Sequence, residues 1–387
     1  MKIAFGADMA MWRSDRSFGI EAATAAMKPV KEIFDKCDFS MINLECIYGN
    51  KDEYTPIVNS GPNLIVREEA VNFVDVLKPT AVGLANNHTG DYGDAPMFST
   101  MDLLKKKGYQ LCGAGENIEK AYEPAVFEKD GITVSVIAVC ENEFGCADKN
   151  KAGAAGFDFY RLASTIADEK QKGRRVIVYF HGGNETYSIP SPNKTKLYRY
   201  FVDLGSDAVI AMHTHCPQGF ETYKGKPIVY SMGNFFFPHQ SPEALNETWF
   251  LGYLSLVDVT ENGVSLDIVP YSFDNDGITL LEGEKLEKFN TYIEKLNSYL
   301  TDEDVIKKYF DAWCCIDGRK YARNVRFLSE WDKDASDKVC HLKNIFGCEA
   351  HNELITNYTK LCYENRTEEA EKLVPEIKAL QNPQIIK

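Results

Sequence analysis

The chain has 387 residues and a formal net charge of −14 at pH 7, which argues against general binding to nucleic acids or anionic membranes because both attract basic proteins. Its 44% apolar and 26% charged residues are typical of a globular protein. We expect no membrane span, because no apolar run is long enough, and a cytoplasmic location, because the N-terminus does not resemble a secretion signal. The 11 scattered cysteines are in keeping with reduced thiols. The oligomeric state stays open.

Short apolar runs alternate with helical patterns through the first two-thirds of the chain. In chain order, the first half predicts a strand at 3–7, a helix at 21–35, a strand at 39–44, a helix at 69–77, a strand at 80–85, a helix at 96–107 and a hairpin of 125–127 with 133–139. The pattern continues with a helix at 159–172, a strand at 176–180, a helix at 194–204, a strand at 207–212 and hairpins of 220–223 with 227–230 and 251–259 with 264–269. This alternation predicts an α/β fold, and the hairpins indicate a mixed sheet.

The pattern changes at about residue 281, where strand signals stop. Residues 284–300, 302–313 and 353–380 read as helices rich in Glu and Lys. We therefore predict a catalytic-type domain at 1–280 and a helical C-terminal extension at 281–387.

Polar residues with metal-binding side chains follow the predicted strands. They are Asp8 after the first strand, Asn43 and Glu45 at the second, Asn86, Asn87 and His88 after the third, His181 after the strand at 176–180, and His213 and His215 after the strand at 207–212. The carboxyl ends of strands in an α/β sheet lie along one edge, where ligands bind. The sequence therefore predicts that these residues converge.

The predicted set combines imidazoles, carboxylates and amides without cysteine, which suits Mn, Fe or Zn, with one or two ions per chain. The side chains of His213 and His215 are two residues apart and share a face. A single Asp after a strand is usually a helix cap, and a lone histidine there is usually a surface residue. Four of the seven histidines occupy strand ends, however, and this concentration favours a metal site.

The C-terminal extension contains a second group of cysteines and histidines. Cys340, His341, Cys348, His351 and Cys362 could hold a structural zinc, but their spacing fits no standard finger. We do not predict a zinc site there.

Several motifs together resemble the CapA family of bacterial capsule-synthesis proteins, which is named for poly-gamma-glutamate capsules. Residues 84–93 read LANNHTGDYG and match its A-N-N-H-x-x-D-x-G signature. The other matching runs, in order, are GAD at 6–8, NLE at 43–45, HGGNE at 181–185, GSDAVIAMHTH at 205–215 and SMGNF at 231–235. The resemblance covers roughly residues 1–270.

That family is similar to calcineurin-like metallophosphoesterases, which implies a four-layer αββα sandwich with a two-metal site. The resemblance implies one metal held by Asp8, Glu45 and His215, and a second held by Glu45, Asn87, His181 and His213. It makes His88 the general acid and gives Asp91 a catalytic role beside it. Residues implied to orient ligands or contact substrate are Asn43, Asn86, Asp91, Glu185 and Asn234. Phosphoesterases usually open with D-x-H, whereas Ala10 stands at the histidine position here, which weakens the first site.

Together, these features predict that the protein is a metal-dependent hydrolase of phosphoester or related anionic bonds. Its expected role is related to capsule or polymer biosynthesis. The first alternative is a non-catalytic accessory factor that binds an anionic polymer such as poly-gamma-glutamate. A carbohydrate hydrolase using Asp8 and Glu45 would leave the histidines unexplained. The expected partner is a small or polymeric anion. Arg199, on the helix after His181, is a candidate contact for that substrate, although a solvated helix face is the more common explanation for such a charge.

Overall fold

The computed structural model describes residues 1–11, 18–326 and 336–386. Its strands are β1 (Lys2–Met9), β2 (Phe39–Leu44), β3 (Ile47–Tyr48), β4 (Ile65–Val66), β5 (Ala81–Gly83), β6 (Gln110–Cys112), β7 (Ala114–Gly115), β8 (Ala125–Lys129), β9 (Ile132–Cys140), β10 (Gly153–Ala154), β11 (Arg175–His181), β12 (Ala208–Met212), β13 (Phe220–Tyr223), β14 (Lys226–Val229), β15 (Asn234–Phe236), β16 (Leu251–Val259), β17 (Val264–Phe273) and β18 (Ile278–Leu280).

The helices fall into two groups along the chain. Those among the strands are α1 (Ile20–Phe34), α2 (Val71–Leu77), α3 (Asp94–Lys106), α4 (Ile118–Ala121), α5 (Phe159–Gln171) and α6 (Pro192–Asp203). Those after the last strand are α7 (Gly283–Tyr299), α8 (Glu303–Val325), α9 (Ser336–Gly347), α10 (Glu349–Tyr363), α11 (Thr367–Ala370) and α12 (Val374–Gln381). We refer to this second group, from α7 onward, as the appendage.

Two mixed sheets form the core. The first has the order β18-β17-β16-β1-β2-β5-β6, with β15 also paired to β1, and the second has the order β13-β14-β12-β11-β9-β8. The central strands β1 and β11 are almost entirely buried apolar runs, as expected for strands covered on both faces. The hairpins β8–β9, β13–β14 and β16–β17 are antiparallel, which confirms a mixed rather than a purely parallel arrangement.

The two sheets pack face to face. The Tyr179 hydroxyl on β11 donates a hydrogen bond to the carbonyl of Gly6 on β1 at 2.5 Å, and the rings of Phe5 and Tyr179 have centroids 5.7 Å apart. Helices α1 and α2 pack together against the first sheet, while α5 and α6 contact the second. The predicted four-layer αββα sandwich is therefore confirmed.

The appendage packs on the sandwich through aromatic and polar contacts. Trp313 on α8 stacks on Tyr187 with centroids 4.9 Å apart, and Gln381 donates to the carbonyl of Thr186 at 2.9 Å. The helices after the last strand agree with the prediction of a C-terminal helical segment, while the domain division at residue 280 stays a prediction. Within the described ranges, every helix is too short or too polar to cross a bilayer.

Two helical predictions in the appendage were wrong in extent. The single helix predicted at 353–380 is divided, because Asn365 takes a left-handed conformation with φ of 55° that ends α10, and Pro375 lies in the first turn of α12. The helix predicted to stop at residue 313 continues to Val325. It passes Gly318, where an added Cβ would lie 2.2 Å from the Tyr358 ring, so this glycine allows α8 and α10 to approach closely.

Candidate metal centre

The first sheet brings three polar residues level with one another at its upper edge. Asp8, near the end of β1, is paired in register with Asn43 on β2 and with Asn234 on β15. Asn43 Nδ2 donates to Asp8 Oδ1 at 2.7 Å, and all three residues are almost completely buried. The strand register alone therefore sets this side of the site.

The second sheet supplies the histidines. His181 ends β11 and is paired in register with Met212, the last residue of β12, so His213 follows at the same level. The backbone N–H of His213 donates to Asp8 Oδ2 at 2.8 Å, which joins the two sheets at this point. His213 and His215 both have positive φ, at 99° and 53°. Such conformations cost energy for residues other than glycine and concentrate at functional sites.

The loop after β5 completes the cluster. Asn86 holds this loop in place, since its Nδ2 donates to the carbonyl of Leu44 at 2.9 Å and its Oδ1 accepts from the backbone N–H of His88 at 3.1 Å. Asn87 is thereby directed at the second sheet, with its Oδ1 2.9 Å from Nε2 of His181.

Glu45 lies at the centre of the cluster and is fully buried. Neither of its carboxylate oxygens has a hydrogen-bond partner among the described residues. Its Oε1 lies 3.6 Å from Nε2 of His181 and 3.8 Å from Nε2 of His215. Burial, together with the nearby Asp8 carboxylate, raises the pKa of Glu45 well above its ordinary value. A buried carboxylate without a donor is costly, and a bound cation would remove that cost.

Within this cluster, two groups of three side chains have donor atoms that lie within 4.8 Å of one another. They are Asp8, Glu45 and His215, and Glu45, His181 and His213. Nδ1 of His213 lies 2.9 Å from Nε2 of His181, and burial beside that ring lowers the pKa of His213 well below its ordinary value. The neutral imidazole is the form that binds a metal. The donor set, the shared Glu45 and the neutral ring all fit divalent metal ions.

The outward nitrogens of the ligand rings have polar partners of their own. Nδ1 of His215 lies 2.8 Å from Oδ1 of Asn234, and Nε2 of His213 lies 3.5 Å from Oε1 of Glu143. Metal-binding histidines usually use the second nitrogen in this way, which fixes the orientation of the ring. The rings of His215 and Trp249, 4.7 Å apart, form the adjoining wall with Phe237.

His88 and Asp91 form a buried pair beside the cluster. Nε2 of His88 points toward it, 3.9 Å from Oε1 of Glu45, while Nδ1 faces Asp91. Glu185 is exposed and lines the adjoining cavity. The structure therefore brings together all the residues that were predicted from strand ends.

Arg199 has different surroundings from those expected. Its guanidinium forms two hydrogen bonds with the Glu221 carboxylate, at 2.8 and 2.9 Å, and a third with the carbonyl of Leu300 at 3.0 Å. The proposed substrate contact does not fit this position, because the side chain is engaged in joining α6 to β13 and the appendage. The position of Arg199 on the helix that follows β11 was therefore not sufficient to predict which way its side chain points.

A cavity of about 370 Å³ opens beside the cluster, and the sequence reasoning missed much of its lining. Glu143 and Trp249 come from the sandwich, while the appendage contributes, among others, Trp313, Lys320, Tyr321, His341 and His351. Glu143 follows β9 as the second acid of a Glu-x-Glu run at 141–143, and a search of every strand end would have found it. The appendage residues carry no comparable signal.

The architecture and the position of the cluster define the type of fold. A four-layer α/β/β/α sandwich whose two sheets present Asp, Glu, Asn and His side chains at their strand ends is the architecture of the metallophosphoesterases. The sequence comparison then identifies the family. Residues 3–239 match the model described as "Bacterial capsule synthesis protein PGA_cap", and the chain belongs to this family.

Individual relatives agree with this assignment. The chain is 27% identical over 220 residues to the PGA biosynthesis protein CapA of Bacillus subtilis, covering 56% of this chain and 58% of the relative. It is 30% identical over 215 residues to the capsule biosynthesis protein CapA of Bacillus anthracis, covering 54% and 51%. A Mycobacterium tuberculosis protein named a probable polyglutamine synthesis accessory protein is 28% identical over 211 residues, covering 50% and 56%. The match thus spans little more than half the length of these relatives.

Among solved structures, a Staphylococcus aureus protein described as a candidate 5′-nucleotidase, in complex with alpha-ketoglutarate, has a TM-score of 0.46 and 14% identity. The superposition covers 78% of this chain and 58% of that protein.

Proposed function

We propose that this protein is a metal-dependent hydrolase of phosphoester or related anionic bonds, with a role related to capsule or polymer biosynthesis. The observation that carries the proposal is Glu45, a buried carboxylate that receives no hydrogen bond from the residues that the structure describes and that faces the Nε2 atoms of His181 and His215. Membership of the capsule-synthesis family supports the biological setting.

In this proposal, Asp8, Glu45 and His215 would hold one ion, and Glu45, Asn87, His181 and His213 would hold another, with Mn, Fe or Zn as the candidate metals. Such ions polarise the scissile bond and lower the pKa of bound water. Asn43, Asn234 and Glu143 keep the ligands in orientation, and Asn86 holds the loop that carries Asn87. His88 delivers a proton to the leaving oxygen, with Asp91 holding its ring. Glu185 lies where a substrate would enter.

The alternative is an accessory factor that binds an anionic polymer without cleaving it. The observation in its favour is Ala10, which is buried and stands where phosphoesterases usually carry a metal-binding histidine. The mycobacterial relative is also named as an accessory protein. Saturable binding of poly-gamma-glutamate by the metal-loaded chain, with no turnover of any phosphoester, would select this alternative.

The direct test is the metal content of protein purified without chelator, compared with the double variant His213→Ala, His215→Ala. We expect the parent to hold one or two equivalents of metal more than the double variant does. His239→Ala is the control, since His239 lines the same cavity outside the cluster, and it should keep its metal. Turnover of phosphoesters by the loaded parent would then support the hydrolase. An equal metal content in the parent and the double variant, even after loading with each ion, would contradict the proposal.

A further inference from the structure

A second group of metal-binding side chains lies at the junction between the sandwich and the appendage. It consists of Glu143, in the segment after β9, and of Cys348 and His351 at the start of α10. One donor atom from each of the three lies within 4.8 Å of the other two. Cys348 and Glu143 are buried, and His351 is partly exposed toward the cavity. More than 200 residues of chain separate the glutamate from the other two.

The three side chains are held with their donor atoms facing one another. Nε2 of His351 lies 3.8 Å from Oε2 of Glu143, while Nδ1 of the same ring is hydrogen-bonded to the Tyr321 hydroxyl. Asn344 Nδ2 donates to Oε2 of Glu143 at 3.3 Å. The other carboxylate oxygen of Glu143 faces His213 in the main cluster. Glu143 is therefore able to orient His213 through one oxygen and to offer the other at the junction.

Cys348 occupies the capping position of α10 and His351 its first turn, so the two positions are three residues apart. Residues at this spacing lie on the same side of a helix. The spacing fits no finger motif, yet the tertiary structure supplies the third donor from another part of the chain.

The charges at the junction also favour a cation. Three carboxylates, those of Glu141, Glu143 and Glu349, lie near the Cys348 thiol. The buried ammonium of Lys194 pairs with Glu141, and the His351 ring faces Glu143. Glu349 accepts hydrogen bonds from Asn142 but gains no positive charge from it. Buried negative charges are costly unless a counter-charge is near, and a divalent cation supplies one.

We propose that Glu143, Cys348 and His351 form a separate zinc site that fastens the appendage over the cavity. A thiolate, an imidazole and a carboxylate at one point suit zinc. Three protein ligands leave the fourth position for water or for a group of a cavity ligand. Binding replaces the thiol proton, which passes to solvent. Without a metal, the thiol instead donates the weak hydrogen bond that it makes to Glu141, at 3.8 Å.

Cobalt substitution tests the site independently of the main cluster, because the main cluster contains no cysteine. The full chain is freed of metal, reduced and titrated with Co²⁺, and the thiolate-to-cobalt charge-transfer absorption is recorded. We expect one such cobalt ion per chain. Cys348→Ser should abolish the band, while the matched Cys362→Ser, at an exposed cysteine, should keep it. Zn²⁺ should displace the cobalt and remove the band.

Absence of the band from the parent at excess Co²⁺, or its persistence in Cys348→Ser, would overturn the proposal. If Cys348→Ser does not fold, His351→Gln at the partly exposed ligand replaces it, and an unchanged spectrum in that variant would also overturn the site. A positive result leaves the hydrolase proposal to its own test, since a chain can hold this zinc and still lack metal at Glu45.

Discussion

Nδ1 of His88 lies 2.7 Å from Oδ2 of Asp91, and both side chains are buried beside the candidate metal ligands. The backbone N–H of Leu64 donates to the same carboxylate oxygen at 2.6 Å, which fixes its position. Burial opposes a charge on the ring, but the adjacent Asp91 carboxylate outweighs it and raises the pKa of His88 above its ordinary value. His88 is therefore suited to keep a proton for a leaving group.

If His88 is the general acid, His88→Asn should lower turnover of an alkyl phosphoester by about 10²–10⁴-fold. Turnover of a nitrophenyl ester should fall far less, because that leaving group departs without a proton. Steady-state kinetics on both esters, with metal content measured in parallel, checks this. An equal loss on the two esters would show that His88 acts on the geometry of the site instead.

Asp91, which faces His88, should determine how activity depends on pH. A general acid works below its pKa, so activity on the alkyl ester should be lost as pH rises through the pKa of His88. Asp91→Asn removes the charge that raises this pKa, and the loss should then begin at lower pH. The pH profile of kcat measures the shift. An unchanged alkaline limb would mean that another group controls it.

Glu45→Gln should remove metal from the cluster, because it neutralises the carboxylate shared by both ligand groups. Metal-free Glu45→Gln should also be more stable than the metal-free parent at neutral pH, by about 1–3 kcal/mol. The reason is that the parent buries a carboxylate to which none of the described residues donates a hydrogen bond. The pKa of Glu45 is raised in the folded state. The penalty is therefore absent below the ordinary carboxyl pKa and grows as pH rises above it.

Denaturant unfolding in chelator at pH 4 and pH 7, with metal analysis, measures both effects. Glu185→Gln is the control, since this exposed carboxylate lines the same cavity, and it should retain metal and parental stability. A Glu45→Gln variant that keeps full metal content would remove Glu45 from the ligand set.

Glu169 on α5 should make stability depend on pH far from the metal cluster. Burial opposes its charge, but hydrogen bonds from Lys172, Ser135 and Arg174 outweigh this and lower the pKa of Glu169 to about 2. Its contribution is complete above the ordinary carboxyl pKa, near 4.3, and is lost as pH falls toward 2. Glu169→Gln should cost on the order of 2 kcal/mol at pH 7, and the difference from the parent should shrink at pH 3. Urea unfolding at the two pH values checks this, and a difference independent of pH would contradict it.

Trp313 should contribute strongly to the attachment of the appendage. It is 4% exposed and stacks on Tyr187, which is 1% exposed. Trp313→Ala should destabilise the protein by about 3–5 kcal/mol through loss of buried area and creation of a cavity. Tyr363→Ala is the control, because Tyr363 is 88% exposed, and it should change stability by less than about 0.5 kcal/mol. Equal effects in denaturant unfolding would mean that the appendage is not anchored at Trp313.

Much of the sandwich was predictable because each buried strand is visible in the sequence as a short apolar run. Three strands have the predicted bounds, namely Phe39–Leu44 and the first strands of two hairpins, Phe220–Tyr223 and Leu251–Val259. The strand predicted at 80–85 is shorter, at Ala81–Gly83. Leu84 and Ala85 are buried apolar residues and look like strand in the sequence, although the chain has already turned there toward Asn87.

By itself, the sequence determined the fold class and the main cluster. The sequence was sufficient because each candidate ligand follows an apolar strand, and the carboxyl ends of these strands lie at a common edge. The ligands that meet there are Asp8, Glu45, Asn87, His181, His213 and His215. Only the tertiary structure decided what lies around that cluster. The pairing of Arg199 with Glu221, the contact of Glu143 with His213 and the approach of the appendage to the cavity join segments far apart in the chain. Such contacts depend on how whole elements pack, and no local periodicity or spacing records them.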